Sequence, residues 1–217
     1  MAVVPLGDAS RRPLKPPVVT AAIILLNFVM FGFELAGGES FVARWSVVPA
    51  HLSAGQDWIT VLTAMFMHAS WSHIIGNMIF LWAFGPEIED ALGRFGYLVF
   101  YLLGGVAAML AQVAANPQSS VPNLGASGAI AAVMGAFLVA FPADRIRSLL
   151  VIFVFVRVRL IPAALFIGVW FLTQLVNVGA VAQLPAGGVA YLAHVGGFLF
   201  GAVTMRMLEA SGRIAPE

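Results

Sequence analysis

Long apolar stretches recur six times along this chain, and no other feature constrains its fold as strongly. They run at about residues 17–36, 71–84, 96–115, 127–141, 161–178 and 189–207. A helix needs about 20 apolar residues to cross the ~30 Å hydrocarbon core of a bilayer, so the stretch at 127–141 is short. Composition points the same way. Of the 217 residues 61% are hydrophobic and 10% charged, whereas soluble domains carry about 25% charged residues. The expected fold is an all-α integral membrane protein with six transmembrane helices. Its membrane domain covers 17–207, with tails at 1–16 and 208–217. A net charge of +1 leaves no footprint for nucleic acid. The absence of cysteine excludes disulfides, thiolate metal sites and a cysteine nucleophile.

Basic residues set the orientation. Arg11, Arg12, Lys15, Arg94, Arg145, Arg147, Arg157, Arg159, Arg206 and Arg213 fall on one side of a six-span layout, and Arg44 alone on the other. Positive residues stay inside, so both termini are expected in the cytoplasm. Arg11, Arg12 and Lys15 resemble the start of a signal peptide, but the stretch behind them is too long for one and lacks a clear cleavage site. An uncleaved span is expected. The short tails favour a bacterial plasma membrane. Two connections are irregular. Residues 37–70 form a long outer loop between the first two helices, and its apolar part, 59–67, is expected to lie in the outer leaflet. Residues 151–160 alternate like an extended strand leading into the fifth span.

Polar groups inside a membrane are costly and usually face a cavity or a partner. Three clusters carry them: His68-x4-His73-x3-Asn77, Gly125-Ala-Ser127-Gly128, and Ala193-His194-x-Gly-Gly197-x3-Gly201. They lie on the second, fourth and sixth spans. Counting 1.5 Å per residue up from the inner-surface charges places Ser127, His73, His194 and Asn77 roughly 15–25 Å above them. That is one layer, in the outer half of the bilayer. Ser127, Ala131 and Gly135 repeat at four-residue spacing, as do Ala193, Gly197 and Gly201. Small-residue faces let two helices approach closely. If these two faces meet, His194 and Ser127 are neighbours.

Each feature also has a plainer role. Ser127 can be a helix cap, His194 an interhelical hydrogen bonder, and His73 with Asn77 polar glue between spans. Together they permit chemistry. A serine hydroxyl becomes a nucleophile when a neighbouring base takes its proton, and His194 is the one histidine in a span outside the 58–77 region. No aspartate is placed to orient it, and the glutamates are assigned to inner ends, termini or the outer loop, so a dyad is expected rather than a triad. The first turn of the fourth helix offers free backbone N–H groups. His73 and Asn77 can add side-chain donors to an oxyanion site, and Gly125 lets the loop backbone approach. No H-E-x-x-H motif is present, and the five-residue spacing of His68 and His73 does not suit a metal pair.

These three motifs, in this order and on these spans, resemble the rhomboid intramembrane serine proteases, and the resemblance covers roughly residues 17–207. It implies that Ser127 is the nucleophile and His194 the base, and that His73, Asn77 and the Ser127 amide bind the oxyanion. It further implies a structural or water-organising place for His68, and cleavage of transmembrane protein substrates near their outer ends without cofactor or metal. The chain departs from some members in two places. Ala131 stands where they carry an aromatic residue stacked on the histidine, and Trp58 is followed by Ile59 rather than Arg.

Two other functions use the same residues. One is a non-catalytic binder of transmembrane clients; the other is a small transporter, for which inverted repeats and paired mid-membrane charges are not visible. For a protease, substrate entry is expected to involve the fifth span and the uncharged loop 179–188.

Overall fold

The computed structural model describes residues 2–152, 155–181 and 190–214. It is mostly helical. Helix α1 (Val18–Trp45) is broken at Gly38, whose φ of 63° is non-helical. Two short helices follow, α2 (Pro49–Ser53) and α3 (Thr60–Thr63), then a 3-10 turn at Ala64–Phe66. The long α4 (Trp71–Ala115) starts at a serine cap, Ser70 Oγ accepting from the His73 amide at 3.2 Å. Gly93, at φ 70° and ψ 159°, interrupts it, a backbone geometry that glycine takes without the clash a side chain would meet. The two halves, 71–92 and 94–115, are thus separate rods. Helices α5 (Ser127–Ala140), α6 (Ala163–Val181) and α7 (Tyr191–Ala210) complete the bundle.

Helix α5 is the axis of the molecule, and Gly128 to Phe137 are all buried. A helix that is apolar on every side has to be enclosed, and α4, α6 and α7 enclose this one. The close approach with α7 comes through glycines. A methyl added to Gly197 would overlap the Gly128 carbonyl, one on Gly201 the Ala132 carbonyl, and one on Gly135 the Phe198 carbonyl. The α5 face is therefore Gly128, Ala132 and Gly135, one residue on from the expected Ser127 and Ala131. Ser127 is left at the rim.

The outward surfaces are equally apolar: Leu25, Phe33, Leu103, Leu172, Val176 and Val203 are all exposed. A belt of this kind on several helices is untenable in water and is what lipid requires. Helices α1, α4 and α7 are long and apolar enough to cross a bilayer, with α5 and α6 as shorter apolar helices. The chain is an integral membrane protein.

The fold is not all-α. Strands β1 (Ala2–Asp8), β2 (Arg145–Ile152) and β3 (Phe155–Pro162) form an antiparallel sheet in the order β1-β2-β3. The segment read as one extended connection at 151–160 holds the end of β2 and most of β3, two antiparallel strands in which Ser148 opposes Arg159. Alternation explains it, since Ile146 and Ser148 are fully buried while Arg145 and Arg147 face out. Nor is 1–16 a simple tail. Its first residues pair with β2, with an irregularity between Pro5 and Gly7. Arg11 then binds Asp144, with one nitrogen at 3.2 Å, and lies over the Phe141 ring at 3.8 Å.

Glu89 on α4 closes the start of α1. Its carboxylate accepts from the Val19 and Thr20 amides and from Thr20 Oγ at 2.8–2.9 Å. The free N–H groups of a helix start are met here by a neighbouring helix, because Pro17 in the cap position offers no side-chain acceptor.

Candidate active site

Three elements frame the site. The outer connection bonds to the loop before α5: Val47 and Asn123 exchange backbone hydrogen bonds of 2.9 and 2.7 Å, and the Gly125 amide donates to the Ala64 carbonyl at 2.8 Å. The 59–67 stretch is thereby partly built into the protein. Ala64, Met65 and Met67 are buried, while Trp58 and Ile59 stay exposed. This anchored loop delivers the chain to Ser127, the first residue of α5. Ala126 in the cap position has no side-chain acceptor to cap that helix start, so its N–H groups are left for another partner beside the hydroxyl.

Ser127 Oγ lies 2.7 Å from His194 Nε2, on α7. His194 is 8% exposed, and its other nitrogen, Nδ1, lies 2.8 Å from Gln174 Oε1 on α6. The rings of Trp170 (5.9 Å) and Tyr191 (6.2 Å) flank the imidazole. Trp170 supplies an aromatic neighbour from α6, although position 131 is alanine. The sequence reading missed both Gln174 and Trp170. A polar amide inside the fifth span was the available signal, but it lies apart from the three polar clusters.

His73 sits in the first turn of α4. The Ala69 amide donates to its Nδ1 at 3.4 Å, which leaves Nε2 as the ring's donor. A β-carbon on Gly125 would stand 3.0 Å from His73 Nε2 and 3.6 Å from Ser127 Oγ. Gly125 also has φ +132°, which residues with side chains rarely adopt. Glycine thus keeps open a space bordered by the imidazole and the hydroxyl. Ser127, His194 and His73 line one cleft of about 460 Å³, with Ala69, Pro122 and Ala190 at its margin.

Asn77, one helical turn below His73, is not among the residues lining that cleft; its Nδ2 is buried without a partner among the described residues. Gly128, Gly197 and Gly201 belong to the helix contact rather than to the cleft. His68 is 1% exposed, with its ring 5.1 Å from that of His73 and both ring nitrogens unpartnered among the described residues. Its backbone amide donates to both carboxylate oxygens of Glu34 at 3.0 Å. Glu34, at the outer end of the expected first span, is buried on α1 and holds the turn leading into α4. The expected mobile loop 179–188 lies, from 182 onward, outside the described residues.

A rhomboid domain model matches residues 55–210, a stretch that contains every residue of this cleft. Similar curated proteins include Rhomboid-like protein 11, chloroplastic, of Arabidopsis thaliana, 34% identical over 125 residues, covering 56% of this chain and 41% of that protein. Rhomboid protein 1, mitochondrial, of Saccharomyces cerevisiae is 26% identical over 220 residues, covering 91% of this chain and 59% of the yeast protein. Rhomboid protease GluP of Bacillus subtilis is 32% identical over 127 residues, covering 56% of this chain and 24% of that protein. The chain thus spans less than two thirds of the length of each of these relatives. With the domain match covering most of its length, the chain belongs to the rhomboid family.

Proposed function

We propose that this protein is an intramembrane serine endopeptidase that cleaves transmembrane segments of other membrane proteins with a Ser127–His194 dyad. The observation that carries the reading is the 2.7 Å approach of Ser127 Oγ to His194 Nε2. At that distance the imidazole takes the hydroxyl proton as the oxygen attacks a peptide carbonyl, then returns it to the departing amine. The negative charge that develops on the carbonyl oxygen is met by the Ser127 amide at the helix start and by His73 Nε2–H. Asn77, whose Nδ2 is buried with no partner among the described residues, joins them once substrate is bound. The open space above Gly125 is where that oxygen sits. His68 supports the His73 side without touching substrate.

In this reading the chain crosses the bilayer six times: α1, the two halves of α4 on either side of Gly93, α5, α6 and α7. All the basic residues but Arg44 lie inside, both terminal segments are cytoplasmic, and the cleft opens toward the outer side. The name of the Bacillus relative, a rhomboid protease, supports the activity.

A fluorophosphonate probe tests the proposal directly. It is expected to modify Ser127 in the wild-type protein and nothing in Ser127→Ala, alongside cleavage of a transmembrane substrate in proteoliposomes by the wild type alone. Normal cleavage by Ser127→Ala overturns it.

A further inference from the structure

We infer that Gln174 is a positioning residue that holds His194 in the one tautomer able to accept the Ser127 proton; this rests on the dyad reading above. A neutral imidazole carries one proton and has one acceptor nitrogen. Which nitrogen is which decides whether Ser127 meets a base or a competing donor. The backbone of α6 and the amide of Gln174 settle it together.

Gln174 Nε2 donates to the Trp170 carbonyl and to Thr173 Oγ, both at 3.1 Å. Thr173 Oγ in turn donates to the same carbonyl at 2.6 Å. The two acceptors are neighbours, so Nε2 is held on this side by one shared donation. Rotating the amide by half a turn would set its oxygen against the Trp170 carbonyl, acceptor against acceptor, so the amide orientation is determined by its own helix. Oε1 is left pointing at His194 Nδ1, 2.8 Å away. A carbonyl oxygen only accepts, so Nδ1 must carry the proton. Nε2 is then the free base, and it faces Ser127 Oγ.

Burial makes the constraint effective. Gln174 is 7% exposed and His194 8%, leaving little room for water to offer Nδ1 another partner. The choice of an amide has its own physical sense. A carboxylate here would hold the ring equally well and stabilise its protonated form better, but a charge inside the bilayer is expensive. A neutral amide fixes the tautomer without that cost. Because Trp170 flanks the same imidazole, α6 supplies both the ring's acceptor and part of its wall. A movement of α6 that lets substrate in would therefore also release the base.

The test uses the whole protein in proteoliposomes with a transmembrane substrate, comparing wild type, Gln174→Met, Gln174→Glu and Ser127→Ala. Methionine keeps the volume and removes the acceptor, and it is expected to lower kcat roughly ten- to a hundredfold with KM nearly unchanged. Glutamate restores the acceptor, so it is expected to recover most of kcat and to move the acidic limb of the pH–rate profile upward. Nitrogen-15 NMR of histidine-labelled protein should find His194 protonated on Nδ1 in the wild type. Wild-type kcat in Gln174→Met overturns the inference, as does a Gln174→Glu protein as impaired as the methionine variant with an unmoved pH profile. A wild-type His194 protonated on Nε2 overturns it without any assay of turnover. Should Gln174→Met fail to fold, the glutamate profile and the wild-type tautomer each decide the question. Cleavage by Ser127→Ala would instead remove the dyad reading while leaving the tautomer result standing.

Discussion

Ser127 Oγ and His194 Nε2 are 2.7 Å apart although 67 residues separate them in the chain. The backbones that carry them meet at glycines: Gly197 on α7 lies against Gly128 on α5, and Gly201 against Ala132. The hydrogen bond is thus set by a close backbone approach of α5 and α7 at glycine and alanine positions. Mutations in the contact and mutations in the dyad should separate into two kinds of defect.

Removing either member of the dyad should abolish turnover without unfolding the protein. Ser127→Ala and His194→Ala are each expected to reduce cleavage by at least about a thousandfold. Their effects should not add in the double variant, because the two side chains act as one unit. Initial rates in proteoliposomes, read beside thermal unfolding, check this.

Gly125→Ala adds a β-carbon at φ +132°, where it meets the His73 ring at 2.9–3.0 Å. Backbone strain of about 1–3 kcal/mol is expected. Displacement of His73 should cost roughly a hundredfold in kcat. Parallel measurements of kcat and unfolding distinguish the local defect from global loss.

The helix contact makes a sharper prediction about stability. Gly201→Ala forces a methyl into the Ala132 backbone, and overpacking of that kind costs about 1–3 kcal/mol. Gly168→Ala on α6 has nothing within 4 Å of the new carbon and should be neutral or stabilising by up to about 1 kcal/mol through helix propensity. Reversible unfolding in mixed micelles compares the two. Equal losses would contradict the packing described.

The docking of β1 should depend on pH. Burial, followed by a hydrogen bond with Asp144, pushes the Asp8 carboxyl up from 3.8 to about 6. Burial of Asp144 acts the same way there, but hydrogen bonds with Arg11 and Asp8 outweigh it and hold that carboxyl below its usual range. As pH rises through about 4, Asp8 of a detached strand ionises while the docked one keeps its proton until about 6. The Asp8 contribution to docking is therefore greatest below pH 4 and is lost as pH rises to 6. Hydrogen exchange of the β1 amides, corrected for intrinsic rates, should show weaker protection at pH 6.5 than at 4.5. Asp8→Asn should flatten the difference.

The legibility of the sequence varied with the range of the forces involved. Apolar spans are a local property of composition, so α1, both halves of α4, α5, α6 and α7 could be read directly. Gly93 marks the break in α4 but does not announce that the helix resumes at once. Helix rise counted from the inner-surface charges assigned Ser127, His73 and His194 to one layer. The small-residue spacing on α5 and α7 indicated that the two helices touch, but the contacting face was off by one residue. Spacing alone does not reveal which of two adjacent small residues turns inward.

Three features needed the folded chain. β1 pairs with β2 across about 140 residues of sequence, and a two-residue alternation in a short valine-rich segment does not name its partner. Glu34 lies at the outer end of the first apolar span, and nothing in the sequence shows that its carboxylate is buried against the His68 amide. Gln174 was an amide in an apolar helix with nothing nearby in sequence to explain it. The residues by themselves determined that this chain lives in a membrane and which side chains could react. Only the tertiary structure decided which atoms of those side chains face one another, because a hydrogen bond is made or lost over less than 1 Å and helix spacing in sequence does not resolve distances that small.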